Sequence, residues 1–120
     1  MHVFTLVITA GQRRTAQRKA AATLATLRGI DYFRFFGHWE ERLVHARPDD
    51  PKNVDQVELI SRLPSPLPES MIPALYVLPT GRWRWHPSTE SDRPRWIRQV
   101  NRVVDRHRGG HCIVIADVHV

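Results

Sequence analysis

The chain has 120 residues, of which 42% are hydrophobic and 25% charged, and this size and composition predict one globular domain covering residues 1–120. No apolar run approaches the ~20 residues that cross a bilayer, which excludes a transmembrane helix and a membrane partner. The formal net charge of +6 indicates an anionic partner, and the single cysteine, Cys112, excludes an internal disulfide framework. Because no basic segment precedes the apolar stretch of MHVFTLVITAGQ, we expect no signal peptide and a reducing, cytoplasmic location.

The first third of the chain predicts a strand, a helix and a second strand. Residues 2–10 are rich in β-branched and aromatic side chains, which is typical of a buried strand. Residues 12–28 contain strong helix formers without Gly or Pro, and they predict a helix with one apolar face. That face is formed by Ala16, Ala20, Leu24 and Leu27. The aromatic run at 30–36 predicts the second strand, with residues 39–46 as its hairpin partner.

The middle of the chain is rich in residues that break regular structure. Breakers at 47–53 predict a loop, after which Asn53 would cap a short helix ending near Arg62. Four prolines between residues 63 and 73 exclude a regular element there. We therefore expect an irregular, Pro-rich insertion over residues 47–73 within the single domain.

The last third predicts a hairpin, a helix and a strand. Residues 74–78 and 82–86 flank a Pro-Thr-Gly sequence that suits a tight turn. A long helix follows, capped by Ser91 or Asp92, and two adjacent glycines end it. The β-branched residues of 111–120 predict the final strand.

This order of elements predicts an α+β fold, namely a ferredoxin-like sandwich built on a split βαβ motif. Its sheet would be mixed or antiparallel, and right-handed crossovers would place the two main helices on one face. The opposite face of the sheet would then stay open. Aromatic side chains on that open face would provide the surface for a homodimer.

Basic residues gather in two segments. Residues 12–28 hold five basic residues and no acid, and residues 82–108 hold eight arginines against three acids. An anionic partner would explain this clustering. However, sixteen arginines against two lysines are also typical of a GC-rich genome, such as that of a high-GC bacterium or its phage, where arginines serve only to solvate the surface.

The final helix has one arginine face and one apolar face. Helical geometry places Arg95, Arg98, Arg102 and Arg106 within an arc of ~80°. The opposite side holds Ile97, Val100 and Val104. Phosphate groups, which arginine binds through two hydrogen bonds, would offset the mutual repulsion of the guanidinium groups. Alternatively, water and salt screen an ordinary solvated face. At the start of the first helix, Arg13, Arg14 and Arg18 form a second candidate anion site.

The sequence Arg82-Trp83-Arg84-Trp85 alternates strictly between basic and aromatic residues. On a strand, Arg82 and Arg84 point to one face and the tryptophans to the other. Interleaved cations and aromatic rings would hold a nucleic-acid backbone and stack its bases. The same alternation arises where tryptophans cover a core, and this second interpretation is the commoner one.

Histidines at the strand ends are the candidate metal or catalytic residues. The final strand places Asp117 and His119 on one face, and pairing with the first strand would bring His2 beside them. Together they would form a two-histidine, one-carboxylate metal site. Histidines at strand ends are more often solvated, so a metal is not expected. Cys112 alternates with buried positions, which indicates an inert thiol.

These observations predict a small basic binding protein without a cofactor, whose arginine faces engage an acidic protein or a nucleic acid. The sequence contains no GxxxxGK[ST], GxGxxG, HExxH or GxSxG motif, which favours a binding function over catalysis. The alternative is a small metal- or histidine-dependent hydrolase with its site at His2, Asp117 and His119.

Overall fold

A computed structural model describes residues 2–35, 57–86 and 90–120. The described chain forms an α+β fold with a mixed six-stranded sheet and two helices. In chain order the elements are β1 (His2–Ala10), α1 (Arg13–Ala25), β2 (Tyr32–Phe35), β3 (Val57–Leu59), β4 (Leu75–Val77), β5 (Trp83–Trp85), α2 (Arg93–Arg106) and β6 (His111–His119). The strand predicted at 39–46 and the loop predicted at 47–53 lie outside the described residues.

The sheet is built around the two long strands β1 and β6. They pair antiparallel over their whole length, from His2 opposite His119 to Ala10 opposite His111. On the far side of β1 lie β4, which is parallel to it, and then β5, which is antiparallel to β4. On the far side of β6, β2 and β3 lie end to end along the same edge, both antiparallel to β6. The strand order is therefore β2–β6–β1–β4–β5, with β3 continuing the line of β2.

The two helices lie on opposite faces of the sheet, so the prediction of both on one face is wrong. Helix α1 packs through Ala16, Ala20 and Leu24 against alternate residues of the strands, such as Val7 and Val114. Helix α2 packs on the other face, in a separate core. The main members of that core are Trp96, Val100 and Val104 of the helix with Leu6, Ile8, Ile113 and Ile115 of the strands. Two apolar layers thus enclose β1 and β6.

The strand directions explain this arrangement. The connection through α1 runs from β1 to the parallel strand β2, and the connection through α2 runs from β5 to the parallel strand β6. Both connections cross the sheet toward the β2 edge, but the two strand pairs point in opposite directions. Crossovers of the same hand must then lie on opposite faces. The ferredoxin-like arrangement is not confirmed, because β1 and β4 are direct parallel neighbours.

The segment between β3 and β4 packs its apolar residues under α2. The sequence predicts a helix ending near Arg62, but Val57–Leu59 forms a strand and only Ile60–Arg62 forms a short 3-10 turn. The Pro-rich stretch that follows holds a second 3-10 turn at Glu69–Met71. Its buried residues are Leu63, Leu67, Met71 and Ile72. Burial of these side chains holds the segment against the sheet. Its prolines exclude a longer helix.

Candidate functional site: an arginine-lined groove

An open groove of about 1170 Å³ runs between the hairpin β4–β5 and helix α2. Its polar walls are formed by Arg82, Arg84, Arg102, Arg106, Gln99 and Thr80, and its aromatic residues are Tyr76, Trp83 and Trp85. None of the described residues that line it is an aspartate or a glutamate. The groove is therefore strongly cationic, with guanidinium groups from two separate elements.

The hairpin turn positions the arginines of β5. The amide of Gly81 donates to the carbonyl of Leu78 at 2.9 Å, and Gly81 itself has φ near +90°, a conformation that glycine adopts without strain. The resulting register places Arg84 directly opposite Tyr76. Because Tyr76 packs in the α2 core, Arg84 points to the α2 side of the sheet. The hairpin predicted from the Pro-Thr-Gly turn is thus confirmed.

Helix α2 supplies the other wall because its two faces differ in chemistry. Trp96 is buried, and its indole N–H donates to the carbonyl of Pro73 at 2.8 Å. Gln99 donates to the hydroxyl of Tyr76 at 2.9 Å, which ties the helix to β4. With this side fixed, Arg102 and Arg106 lie exposed along the groove. The helix and its amphipathic character are confirmed as the sequence predicts.

The candidate arginines have no carboxylate partners within the described ranges. No ion pair there involves Arg95, Arg98, Arg102, Arg106, Arg82 or Arg84. Arg98 lies outside the groove and borders a smaller depression of about 660 Å³ that Arg102 and Arg106 also line. Arg95 is exposed and lines neither. Four of the six therefore converge on one groove, and these four are not neutralised by the part of the chain described.

The arginines of α1 do not join this surface. Arg13 is partly buried and donates to the carbonyl of Val57 at 3.4 Å, which holds β3 in place. Arg14 and Arg18 are exposed, but α1 lies on the opposite face of the sheet from α2. A single cationic patch uniting both helices is therefore not formed. The groove instead combines α2 with β5.

The two tryptophans of β5 are half exposed, at 52% for Trp83 and 40% for Trp85. Their positions opposite Val77 and Leu75 place them on the α1 side of this edge strand. The groove reaches them around the edge of the sheet, where Thr26 at the end of α1 also lines it. They border a cavity of about 40 Å³ with Leu27 at the end of α1. The two rings therefore cover the edge of the α1 core only in part. The homodimer surface expected on an open sheet face is absent from the described residues, since each face carries a helix.

A second polar cluster lies at the end of the β1–β6 pair where His2 stands beside His119, as the sequence predicts. The nearly buried carboxylate of Asp117 accepts from Nδ1 of His2 at 3.0 Å and from Nε of Arg34 at 3.4 Å. Nδ1 of His119 donates to Asp31 at 3.2 Å.

Sequence reasoning missed Asp31, Tyr32 and Arg34, because only the pairing of β2 with β6 brings them here. The three candidate metal ligands, His2, Asp117 and His119, lie together in this cluster. Nδ1 of each histidine already faces a carboxylate, and within the described residues no group of three or more His, Cys, Asp or Glu could hold a metal ion.

Cys112 is a buried thiol between α1 and the sheet. Its Sγ donates to the carbonyl of Gly11 at 3.4 Å. Burial raises the pKa of the Cys112 thiol above its usual value, although the nearby Arg13 guanidinium acts in the opposite direction. The thiol therefore stays protonated at neutral pH, which agrees with its predicted inertness.

Comparison with protein-family models, curated proteins and solved structures gives no match to this chain. Within the described residues, neither helix is long and apolar enough to cross a membrane. The function is therefore argued from the side chains of the groove.

Proposed function

We propose that the chain is a nucleic-acid-binding module that holds a single strand in the groove between β5 and α2. The observation that carries the proposal is the lining of that groove. Four arginines without carboxylate partners in the described chain converge there with Trp83 and Trp85. Guanidinium groups that follow a phosphate backbone, together with aromatic rings that stack bases, are the usual components of a single-strand binding surface.

Each component has a defined role in this proposal. Arg82, Arg84, Arg102 and Arg106 bind phosphate oxygens, because guanidinium groups form paired hydrogen bonds with them. Phosphates also remove the repulsion between Arg102 and Arg106, which lie one helical turn apart. Each base stacked on Trp83 or Trp85 contributes about 1–3 kcal/mol. Binding would be tolerant of base sequence, since neither phosphates nor ring faces differ much between nucleotides.

An acidic protein is the alternative partner, and the tryptophans distinguish the two. Carboxylates on a partner would satisfy the same four arginines. They would leave Trp83 and Trp85 without stacking partners, whereas nucleic-acid bases use their exposed faces directly. The exposure of both rings beside the groove therefore favours nucleic acid. We also propose that the module is cytoplasmic and uses no cofactor.

Fluorescence anisotropy with a labelled single strand of about 20 nucleotides tests the proposal. Four phosphate contacts predict that log affinity falls with log salt at a slope of about −3, since each contact contributes about −0.7. The double variant Arg102→Gln/Arg106→Gln removes two contacts and makes the slope shallower by about 1.4. Arg14→Gln/Arg18→Gln makes the same charge change on the other face of the sheet and should leave the slope unchanged.

Four outcomes would contradict the proposal. Equal losses in the two double variants would show that only net charge matters. Salt-independent binding, or none at low salt, would exclude phosphate contacts. Unchanged single-strand affinity in Trp83→Ala/Trp85→Ala, with poly-glutamate bound as tightly as the oligonucleotide, would assign the groove to an acidic protein instead.

A further inference from the structure

The cluster around Asp117 contains two imidazoles that are each oriented by a carboxylate. Asp117 is nearly buried, with its side chain 12% exposed, and His2 is open to solvent at 60%. A bond from Nδ1–H of His2 to Asp117 leaves Nε2 of His2 as the proton acceptor. His119 is oriented in the same manner by Asp31. The two rings lie edge to face, with centroids 5.0 Å apart.

Two further side chains give this cluster features suited to a nucleotide. Arg34 bonds Asp117 through Nε, and its side chain is 63% exposed. The ring of Tyr32 stacks on His119 at 4.8 Å and is 51% exposed. A guanidinium is suited to phosphate oxygens, and an exposed aromatic ring is suited to a base. The cluster thus combines a proton acceptor, a second imidazole, a cation and a stacking surface.

The cluster and the groove are on the same side of the sheet. Residues directly opposite each other in a sheet share a face, so His2, His119 and Arg34 point to the α2 side together with Phe4, which packs against the α2 core. Arg84 is in register with Leu6 of β1, two strands away, which is about 10 Å across the sheet. His2 is four residues from Leu6, which is about 13 Å along β1. A bound strand would therefore cover about 16 Å between the two.

We propose that His2 and His119 form a general acid–base pair that cleaves RNA bound by this module. The inference rests on the proposed binding function and names RNA as the substrate class. Neutral His2 takes the proton of a ribose 2′-hydroxyl through Nε2, and the freed oxygen attacks the adjacent phosphorus. A bond from O2′ to phosphorus forms, giving a 2′,3′-cyclic phosphate. The bond from phosphorus to O5′ breaks, and protonated His119 gives its proton to the leaving 5′ oxygen.

In this reaction the two carboxylates of the cluster act as positioning residues, whereas Arg34 contacts the substrate itself. Asp117 and Asp31 hold the two imidazoles, and the Arg34 guanidinium stabilises the negative charge that develops on the phosphate oxygens. The step consumes no oxidant, reductant or metal. Water restores the protonation states when the 2′,3′-cyclic phosphate is released.

The experiment incubates the protein, in excess EDTA, with an RNA strand, the same strand with 2′-O-methyl riboses, and the matching DNA. The expected result is cleavage of the unmodified RNA alone, leaving a 2′,3′-cyclic phosphate that mass spectrometry detects. His2→Asn and His119→Asn should each lower the cleavage rate by at least about 100-fold. The control is His111→Asn, because His111 lies at the other end of β6. Within the described residues its side chain contacts the carbonyl of Gly109 and the ring of His107, and neither belongs to the Asp117 cluster.

A second readout separates acid–base chemistry from loss of structure. The rate should follow a bell-shaped pH profile, falling at low pH as the base protonates and at high pH as the acid deprotonates. Among the described residues, the groups that face the pair include Asp31, Tyr32, Arg34 and Asp117. Asp117→Asn should change the profile as well as the rate. RNA binding should persist in His2→Asn and His119→Asn, which shows that they are folded.

The outcomes distinguish this inference from the binding proposal. Intact RNA after prolonged incubation, with single-strand binding retained, overturns the cleavage site alone. Cleavage that survives both His2→Asn and His119→Asn, or that extends to the 2′-O-methyl strand, also overturns it. Absence of binding to any single strand overturns the binding proposal first.

Discussion

Two arginines near the end of α2 are two positions apart and have different roles. Arg106 is exposed and lines the groove. Arg108 is turned inward and donates to the carbonyls of Ile60, Leu63 and Pro64 at 2.9, 3.0 and 3.2 Å. Its Nε also pairs with Asp105 at 2.8 Å. Sequence alone counts these as equal members of one basic segment. Only the fold of the proline-rich segment around Arg108 separates the structural cation from the one available to a partner.

Replacing Arg108 by Ala should lower the free energy of unfolding by about 2–3 kcal/mol, because several carbonyls lose a charged donor. Arg108→Lys should recover little of this, since an ammonium cannot reproduce the planar fork of donors. Arg106→Ala is the matched control and should change stability by less than about 0.5 kcal/mol. Urea denaturation followed by circular dichroism measures all three. A loss of similar size in Arg106→Ala would contradict the assignment.

Because of the Cys112 thiol, the free energy of unfolding should depend on pH in the alkaline range. Its pKa is raised above the usual 9.0 by burial, so above pH 9 the unfolded chain releases this proton before the folded chain does. The protonated thiol's contribution to the free energy of unfolding is therefore fully present below pH 9 and is lost as pH rises toward the folded-state pKa. Between these two values the wild type should lose up to about 1.4 kcal/mol per pH unit more than Cys112→Ala. Parallel stability curves for the two proteins from pH 8 to 11 would refute this.

At the scale of elements, small side chains bring α1 close to the sheet. Ala16 and Ala20 are completely buried, and Leu24 completes the same face. The sequence predicts this stripe because alanines recur at helical spacing. It also predicts α2, in which the apolar residues lie on one side of the helix and the arginines on the other. Both helices could be located because each has one continuous apolar face and glycines after its end.

Ala20→Leu should destabilise the protein by about 1–3 kcal/mol, since a larger side chain has no room between α1 and the sheet. Ala22 is exposed on the same helix, and Ala22→Leu introduces the same residue at a position that contacts solvent. That control should change stability by no more than about 0.5 kcal/mol. Thermal unfolding of the two variants compares them directly. Equal effects would show that helix propensity, rather than packing, governs the response.

The short strands were harder to predict than the helices. Val57–Leu59 has an apolar spacing that also fits a helix, and three residues are too few for period to decide. Pairing with β6 selects the strand, and this is a tertiary effect invisible along the chain. The same holds for the tryptophans of β5. Their alternation with arginine predicts that both point to one face of the sheet, but it does not predict that β5 is an edge strand. Their exposure follows from the position of β5 at the end of the sheet.

At the scale of the whole molecule, the sequence indicates that both faces of the sheet are covered, which the prediction of both helices on one face does not take into account. The apolar runs of β1 and β6 place large hydrophobic side chains on both sides, for example Leu6 with Val7 and Ile113 with Val114. Strands of this type require cover on both faces. That requirement agrees with one helix on each side and disagrees with an open sheet. The groove itself could not be predicted, because it depends on which strand stands beside α2 at the sheet edge.

The pairing of β1 with β6 also has a consequence for how the chain reaches its native state. These strands are separated by nearly the full sequence, from His2 opposite His119 to Ala10 opposite His111. Until β6 joins, β1 lacks an antiparallel neighbour, and β2 and β3 have no strand to pair with among the described elements. Closing so long a loop is entropically costly before any contact rewards it. Folding should therefore be slow for a chain of this size, on a timescale of milliseconds to seconds.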